Sequence, residues 1–495
     1  MNTFLNQMTK DNNITYTENS GVTRKTTESK VLDMFAFGGA YRTRSDEDII
    51  LLFKNAFEEN PDLAMKCLFY LRDIHEGQGE RRFFRVAYRW LCNVYPEIAK
   101  KNLENISEFA RWDDLIYVAE GTQVQTAAFK IIKHQLALDI QCKTPSLLAK
   151  WMPSQNASNA NTKRLGVVLA NFLNMTGREY RKTLSVLRER INVLERLMSA
   201  GRWQDIEFDK IPSKAGLIYR QAFARRDILA KKYEAFAKSK DTKVNAEVLY
   251  PYDVAHKAFA MRYAPVDLEN PERLMLQKYW NNLKDFYNDR EENGIAIVDV
   301  SGSMSGTPME AAVSMGAYIA EKSYGPFANY FITFSSKPEL IKFEGVDIVD
   351  KLNRCVSSKW GFSTNLQAVF DILLATAKNK NVKAKDMPDK LFIFSDMEFN
   401  KCVFFNNYKV NSIEEVNSDL EKIKEQWESE GYSFPKVIFW NLAARKNRVP
   451  AIGDGFSYVS GFSPVIMETI LGGKDGYDLM IAKLVDSGRY DKITV

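Results

Sequence analysis

A group of oxygen-bearing side chains in the second half of this 495-residue chain has the types and spacing of a metal site. Three of them form an Asp-x-Ser-x-Ser pattern directly after an apolar run, a fourth follows a second apolar run, and a fifth precedes a helical pattern. Carboxylate and hydroxyl oxygens are ligands that Mg2+ or Mn2+ accepts in proteins. The predicted ligands are Asp299, Ser301, Ser303, Thr364 and Asp396.

The elements around these residues alternate between strand and helix patterns. Short apolar runs end in polar or turn residues, as in NGIAIVDV, NYFITF, KLFIFSD and PKVIFWN, and amphipathic stretches such as 307–323 lie between them. This alternation predicts a doubly wound, Rossmann-like α/β domain over residues 289–495, with a parallel sheet covered on both faces. Because ligands bind at the carboxyl ends of such strands, the predicted metal ligands would meet there.

The first half of the chain has a helical pattern instead. Ser45 and Asn60 are candidate helix caps, Pro61 stands at a first helical position, and apolar residues recur at helical spacing. Short helices divided by Pro, Gly or Asn predict an all-α, HEAT-like helical solenoid over residues 31–288. Residues 1–30, rich in Asn, Thr and Ser, are predicted to be a flexible arm that can dock on a domain.

The residues around Asp299 argue against two other kinds of site, a catalytic nucleophile and a phosphate-binding loop. A haloacid-dehalogenase-type nucleophile needs a second Asp where this chain has Ser301, and no GxxxxGK[ST] phosphate loop follows the first strand. A simple polar loop, in which Asp299 only caps the next helix, stays open as an alternative. This alternative needs a separate reason for each of the three polar clusters at predicted strand or helix ends. One shared metal ion would account for all three.

Cysteine and histidine chemistry has little support. The 5 cysteines form no CxxC pair, and the 3 histidines are dispersed, which argues against a disulfide framework, a zinc site or a hydrolytic Ser-His-Asp or Cys-His site. We therefore expect no catalytic residues and no enzyme activity. An alternative, a metal-dependent phosphoryl-transfer enzyme, lacks an evident nucleophile or base beside the metal oxygens.

Charge is distributed unevenly along the chain. Residues 121–240 carry 22 Lys and Arg against 9 Asp and Glu, a net of +13, whereas residues 291–495 carry a net of −4. Basic side chains neutralise phosphates, so this middle segment is a candidate RNA-binding region, with Tyr180 and Trp203 as candidates to stack on bases. A solvated basic helix face is the alternative. The candidate phosphate contacts are Lys163, Arg164, Arg178, Arg181, Lys182, Arg188, Arg190, Arg220, Arg225 and Arg226.

Other polar and aromatic residues of the helical half are predicted to be structural. Charges embedded in apolar helices are more often buried ion pairs than binding groups. The predicted ion-pair residues are Arg72, Asp73, Arg111, Asp113 and Asp114, and the predicted core tryptophans are Trp112, Trp151 and Trp440.

The Asp-x-Ser-x-Ser pattern after a buried strand resembles the metal-ion-dependent adhesion site of von Willebrand factor A domains. The resemblance covers residues 290–495 and implies that Asp299, Ser301 and Ser303 form the first metal cluster, Thr364 the second and Asp396 the third. It also implies binding rather than turnover, with an acidic ligand completing the coordination of the ion.

The helical half resembles the TROVE module of the Ro ribonucleoprotein autoantigen group. The motifs that carry this resemblance are YLRDI with GQGER at 70–81, RWDDL at 111–115, KWMPS at 150–154 and REYRK at 178–182. Residues 439–442 and 459–463 resemble C-terminal motifs of an uncharacterised branch known from plants and large DNA viruses. The resemblance implies helical repeats that close into a ring and bind structured or misfolded RNA.

Together these observations favour a Ro-like RNA-binding protein with a metal-dependent site for an acidic ligand. The alternative from another class is a protein-interaction adaptor that binds no RNA. The polar N-terminus and the absence of a long apolar stretch predict a cytoplasmic protein without a membrane segment. We expect a monomer.

Overall fold

The computed structural model describes residues 13–18, 22–191, 193–287, 289–334, 338–357, 366–399, 423–450, 455–474 and 476–495. Its N-terminal part is helical and its C-terminal part contains a six-stranded, mostly parallel sheet. The expected order of a helical region followed by an α/β region is therefore confirmed.

The helical part begins after a short hairpin, formed by β1 (Ile14–Tyr16) and β2 (Val22–Arg24). Its longer helices are α1 (Lys30–Phe37), α2 (Asp46–Glu59), α3 (Pro61–Arg72), α4 (Arg81–Val94), α7 (Trp112–Ala119), α8 (Gln125–Gln141), α10 (Ala160–Phe172), α11 (Gly177–Arg190), α13 (Ser213–Arg225), α14 (Asp227–Lys238), α15 (Pro251–Phe259) and α16 (Pro271–Asn281). Its shorter helices are α5 (Pro96–Lys101), α6 (Ile106–Phe109), α9 (Leu148–Trp151) and α12 (Leu194–Ser199).

The predicted caps begin the predicted helices. The Ser45 hydroxyl accepts the amide hydrogen of Asp48 at 3.1 Å and starts α2, and the Asn60 side chain accepts that of Leu63 at 3.0 Å and starts α3. These bonds satisfy amides that have no partner within the helix. Pro61 costs no hydrogen bond at the first helical position, because an N–H at that position has no partner within the helix.

The sheet has the strand order β5-β4-β3-β6-β7-β8, and only the edge strand β5 is antiparallel. The strands are β3 (Gly294–Asp299), β4 (Tyr330–Phe334), β5 (Leu340–Lys342), β6 (Lys390–Ser395), β7 (Lys436–Asn441) and β8 (Phe456–Ser460). Every residue of β3 is buried, so both faces of this central strand are covered. Between the strands lie α17 (Thr307–Lys322), α18 (Ile348–Ser357) and α19 (Leu366–Asn379), and after the last strand come α20 (Met467–Leu471) and α21 (Gly476–Ile481).

The helical part contacts the α/β part at both of its ends. At the N-terminal end, α1 packs against β8, and the Gly39 amide donates to the Ser460 hydroxyl at 3.0 Å. A Cβ atom on Gly39 would lie 2.7 Å from the Ser460 carbonyl oxygen, so this close approach requires glycine. At the other end, Arg273 donates two hydrogen bonds of 2.7 Å to Asp347, ahead of α18.

The last seven residues form a further contact between the two parts, which we call the C-terminal strap (Arg489–Val495). Arg489 donates to Asp73 at 2.9 and 3.2 Å. Asn102 donates to the Thr494 carbonyl at 2.7 Å and accepts the Thr494 amide hydrogen at 3.2 Å. The strap therefore joins the end of the α/β part to the loops around α3, α5 and α6.

The hairpin of β1 and β2 also packs on the α/β part. Arg24 and Val449 exchange two backbone hydrogen bonds of 3.0 Å, and Thr17 donates its hydroxyl hydrogen to the Phe399 carbonyl at 2.6 Å. The described residues of the predicted arm are thus docked. In the described ranges, no helix has the length and apolar character needed to cross a membrane.

Candidate functional site

The candidate metal centre lies where β3 and β6 end side by side. The two strands are parallel neighbours, with Val298 opposite Phe394, so Asp299 and Asp396 follow adjacent strand ends. A short turn, Gly302–Met304, then carries the chain into α17. This arrangement brings Asp299, Ser301, Ser303 and Asp396 to one edge of the sheet. The fifth predicted ligand, Thr364, lies outside the described residues.

Hydrogen bonds hold the Asp299 carboxylate in place. One oxygen accepts the Ser301 amide hydrogen at 2.9 Å, and the other accepts the Ser395 hydroxyl hydrogen at 2.6 Å. The Ser301 and Ser303 hydroxyl oxygens are 3.0 Å apart, with Ser301 nearly buried and Ser303 exposed. The centre therefore runs from a buried carboxylate out to an exposed hydroxyl, so an ion held here could be reached from solvent.

The charge of Asp299 is poorly compensated. Its side chain is completely buried, and this burial, together with the nearby negative charge of Asp396, raises the pKa of Asp299 to about 6. A cation between the two carboxylates would offset both effects, because it supplies an opposite charge in a site that excludes water. The hard oxygen donors present suit Mg2+ or Mn2+. Within the described residues no cluster of three or more His, Cys, Asp or Glu could hold a metal ion, so the candidate centre has only two carboxylates and depends on its hydroxyl oxygens as well.

Sequence reasoning missed two groups that contact this centre. Ser395, on the last position of β6, links the two carboxyl strand ends through its bond to Asp299. Arg445, in the turn after β7, donates to the Asp396 carboxylate at 2.9 Å. Ser395 could have been noticed because it stands next to Asp396 in the sequence. Nothing in the sequence relates Arg445 to Asp396, because the two residues are 49 positions apart.

A second candidate site is a basic cavity of about 1670 Å3 between the helical part and the α/β part. The α/β part contributes Thr307 and Phe462 to its wall, and helices from α3 to α15 contribute most of the rest. Four acidic side chains line it: Glu80, Asp113, Glu195 and Asp253. Ten basic side chains do so: Arg42, Arg72, Arg81, Arg82, Arg111, Lys150, Arg181, Arg188, Arg196 and Lys214. This excess of positive charge makes the cavity a candidate for binding polyanions.

Several of these cations are already used by the fold. Arg72 is buried and donates to Asp114 at 2.6 Å, which confirms the prediction that both residues take part in buried ion pairs. Arg188 donates to the carbonyl oxygens of Ala149 and Met152 at 2.8 Å and so supports the loop between them. These arginines shape the wall of the cavity.

Besides Arg188, which is held by carbonyl oxygens, three lining cations have no acidic partner among the residues that the structure describes: Arg81, Lys150 and Arg181. Burial, together with the positive charges of Arg85 and Arg111, lowers the pKa of Arg81, although the charges of Asp114 and Asp113 partly offset this effect. Among the described residues, Arg181 donates to the Gln155 side chain at 3.1 Å. Groups of this kind gain most from an incoming phosphate, which would reduce the repulsion between them.

An aromatic surface lies beside these cations. The Trp151 ring is half-buried rather than in the core, and it lines the cavity. The Arg111 guanidinium lies over the ring, 3.9 Å from its centroid, and two bonds to Asp113 at 2.9 and 2.6 Å fix it there. The prediction that Trp151 belongs to the core was therefore wrong, whereas Trp440 is fully buried as predicted.

The predicted RNA-binding residues are dispersed. Arg181 and Arg188 line the cavity, and Arg220 is buried beside Glu272, 3.5 Å away, where no phosphate could reach it. Tyr180 is buried with its hydroxyl on the Pro153 carbonyl, so it is not available for stacking. The other predicted residues are exposed outside the cavity: Lys163, Arg164, Arg178, Lys182, Arg190, Arg225 and Arg226.

Some of these exposed cations have structural partners. Arg164 forms an ion pair of 2.7 Å with Glu120, and Arg190 donates to the Ile140 carbonyl at 2.8 Å. Arg226 lies over the Trp203 ring, 4.6 Å from its centroid, and covers the second predicted stacking residue. Arg178, Lys182 and Arg225 have no ion pair within the described ranges and are a natural comparison set for the cavity cations.

Comparisons with known proteins match both parts of the chain. A family model described as a domain of unknown function, DUF2828, matches residues 17–122 and 148–287, and another, DUF7788, matches residues 293–487. The chain is also 29% identical over 512 residues to "Uncharacterized protein L728" of Acanthamoeba polyphaga mimivirus, an alignment that covers 94% of this chain and 85% of that protein. The helical and α/β parts therefore occur together in that relative.

Proposed function

We propose that this chain is a Ro-like RNA-binding protein whose basic cavity takes RNA, and whose C-terminal part is a von Willebrand factor A-type domain with a divalent metal centre. The observation that carries the RNA proposal is the set Arg81, Lys150 and Arg181, which line one cavity without acidic partners in the described structure. Trp151 lines the same cavity, but Arg111 covers one face of its ring, so a base could stack there only on the opposite face.

The metal centre of the proposal consists of Asp299, Ser301, Ser303 and Asp396, with Thr364 as the ligand suggested by the resemblance. The ion, when bound, supplies an electrophilic position for an acidic oxygen of a partner. Asp299 and Asp396 supply the negative charge, the serine hydroxyls keep the total charge of the centre low, and Ser395 orients Asp299. This half of the proposal rests on the raised pKa of Asp299 and on the oxygen-only donor set.

The test of RNA binding compares two sets of three substitutions. The cavity set is Arg81→Gln, Lys150→Gln and Arg181→Gln, and the matched surface set is Arg178→Gln, Lys182→Gln and Arg225→Gln. Fluorescence anisotropy at several salt concentrations, with labelled single-stranded and hairpin RNAs, gives the affinity and its salt slope. Each phosphate contact with a single strand contributes about −0.7 to the log–log slope, so the cavity set should flatten the slope by about 2.

The surface set should change the slope by less than half as much. Equal effects of the two sets would contradict the cavity as the binding site, and absence of binding by the wild-type protein at low salt would favour the adaptor alternative. EDTA should leave RNA binding intact, because the cavity cations and the metal centre use different residues. Binding that disappears with EDTA would contradict this division between the two sites.

A further inference from the structure

Arg445 bridges two carboxylates that come from opposite ends of the chain. One guanidinium nitrogen lies 2.9 Å from Asp396, and the other lies 3.3 Å from Glu18. The Asp396 side chain is only 1% exposed, whereas that of Glu18 is 44% exposed. The same arginine therefore contacts a buried acid of the candidate metal centre and an acid at the surface.

Glu18 is held near the centre by contacts that do not involve Arg445. Its amide donates to the Glu398 carboxylate at 2.6 Å, and the preceding Thr17 donates to the Phe399 carbonyl at 2.6 Å. Glu398 is in turn paired with Arg448 at 3.3 Å. Because these bonds fix the backbone at Glu18, its carboxylate stays within reach of Arg445 even if the arginine leaves Asp396.

The backbone of Arg445 is also anchored while its side chain is long and 40% exposed. Its carbonyl oxygen accepts a hydrogen bond from the Arg44 guanidinium, and the neighbouring Asn447 accepts one from the Tyr41 hydroxyl at 2.6 Å. A side-chain rotation can therefore move the guanidinium away from Asp396 while it stays on Glu18, without moving the loop. Such a rotation requires only staggered side-chain rotamers.

Electrostatics gives this rotation a direction. Without an ion, Asp396 is a buried carboxylate beside Asp299, and Arg445 is the cation that pairs with it. A divalent ion on Asp299 and Asp396 would place further positive charge next to the Arg445 guanidinium. The ion and the guanidinium would then repel each other, because both would contact Asp396. Glu18, which already contacts Arg445 at 3.3 Å, is the acid that can keep the guanidinium after it leaves Asp396.

From these contacts we infer that Arg445 is a tethered cation that competes with the divalent ion for Asp396, and that Glu18 accepts Arg445 when the ion binds. The pair Arg445 and Glu18 then sets the metal affinity of the centre and couples it to the N-terminal hairpin. This inference rests on the metal centre proposed above.

The two partners of the competition should affect metal affinity in opposite directions. Arg445→Gln removes the competitor and should tighten binding of Mn2+ by about threefold to fivefold, the scale of one partly exposed ion pair. The measurement is a calorimetric titration of the full chain with MnCl2 alone. Glu18→Gln removes the acceptor, keeps Arg445 on Asp396 and should weaken binding by a similar factor. Lys446→Gln is the matched control, because Lys446 lies 4.0 Å from Glu18 and, within the described residues, forms no ion pair with Asp396.

Lys446→Gln should change the affinity less than twofold. Weaker binding by Arg445→Gln, or equal effects of Arg445→Gln and Lys446→Gln, would overturn the inference. Hydrogen exchange provides a second readout: Mn2+ should slow exchange of the amides around Thr17 and Glu18 in the wild type and not in Arg445→Gln. If neither the wild type nor Arg445→Gln binds Mn2+, the metal centre itself is refuted, whereas binding with equal affinity in all variants refutes the competition alone.

Discussion

Ser395 donates its hydroxyl hydrogen to Asp299 across 2.6 Å and so joins the carboxyl ends of two neighbouring parallel strands. The same hydroxyl accepts the Met397 amide hydrogen at 3.0 Å, which fixes the turn that carries Asp396. One serine therefore orients one carboxylate of the centre and shapes the loop of the other. The two hydrogen bonds of Ser395 help to keep Asp299 and Asp396 close together although their negative charges repel.

Asp299→Asn should abolish binding of Mg2+ or Mn2+ without reducing the stability of the metal-free protein. Burial and Asp396 raise the pKa of Asp299 to about 6, so its charge lowers the free energy of unfolding at pH 8, by up to about 3 kcal/mol at about 1.4 kcal/mol per pKa unit. Chemical denaturation in EDTA measures this free energy. A loss of more than about 1 kcal/mol in the variant would show that the hydrogen bonds of the carboxylate outweigh its repulsion.

The same carboxyl should make metal-free stability depend on pH. The folded-state pKa of about 6 lies above the value in the unfolded chain, so the contribution of Asp299 is fully present below about pH 4 and is lost as pH rises through 6. In EDTA, the wild type should therefore gain stability relative to Asp299→Asn between pH 8 and pH 5. The metal affinity of the wild type should instead decrease from pH 8 to pH 5, because protons compete with the ion for the Asp299 carboxylate. A pH-independent difference between the two proteins would contradict the assignment.

Asp114→Asn should strongly destabilise the helical part. Asp114 is completely buried and accepts hydrogen bonds from Arg72 at 2.6 Å and from Arg85 at 2.5 Å. Removing one partner of a buried ion pair leaves the other charge uncompensated and costs about 3–5 kcal/mol. Burial alone would raise the pKa of Asp114, but the two arginines outweigh it and lower this pKa. The charged carboxylate therefore stabilises the protein at neutral pH, and this stabilisation is lost as the pH falls through the lowered pKa.

The control for Asp114→Asn is Glu97→Gln. Glu97 pairs with Lys100 at 2.6 Å, but its side chain is 78% exposed, and such surface pairs contribute little. Thermal unfolding should show a large decrease in Tm for the first variant and almost none for the second. Similar decreases in both would indicate that the buried cluster is no more important to stability than a surface pair.

The strand ends and the ion pairs illustrate what sequence alone could predict. Asp299 and Asp396 follow apolar runs, and parallel strands bring their carboxyl ends together, so their proximity follows from local pattern and one topological rule. The burial of Arg72 could be predicted from the sequence, but its partner could not. Asp114 reaches Arg72 only because the helices that carry the two residues pack together.

The cavity was the least predictable feature. A count of charges along 121–240 gives a net of +13 but does not tell which side chains face inward. Arg81 and Lys150 line the cavity, whereas Arg178 and Arg225, equally basic in the sequence, do not. The wall exists only because both ends of the helical part reach the α/β part, and those contacts join residues as distant as Gly39 and Ser460.

Gly39→Ala should loosen the contact between α1 and β8. The new Cβ would lie 2.7 Å from the Ser460 carbonyl oxygen, so the two elements must separate, at a cost of about 1–3 kcal/mol. Ser460→Ala is the control, since it removes only the 3.0 Å bond from the Gly39 amide, worth about 1 kcal/mol. Hydrogen exchange should quicken at residues 30–43 in the first variant. Unchanged exchange there would contradict a tight N-terminal contact.

Tyr490→Ala should detach the C-terminal strap from the helical part. The Tyr490 ring is fully buried, stacks on Phe109 at a centroid distance of 5.5 Å and lies edge-on to Tyr70 at 6.3 Å. Its hydroxyl also lies 3.2 Å from the buried Asp73 carboxylate. Deleting a buried aromatic side chain leaves a cavity and costs about 3–5 kcal/mol. Chemical denaturation should detect this loss in the free energy of unfolding.

Tyr490→Phe separates the ring from the hydroxyl. This variant keeps the stacking on Phe109 and loses only the contact with Asp73, which Arg489 still neutralises through bonds of 2.9 and 3.2 Å. Its free energy of unfolding should therefore fall by about 1 kcal/mol. Limited proteolysis should cut the strap in Tyr490→Ala well before it cuts Tyr490→Phe. If the Phe variant were as unstable as the Ala variant, the strap would be held by the polar contact with Asp73 and not by the aromatic packing.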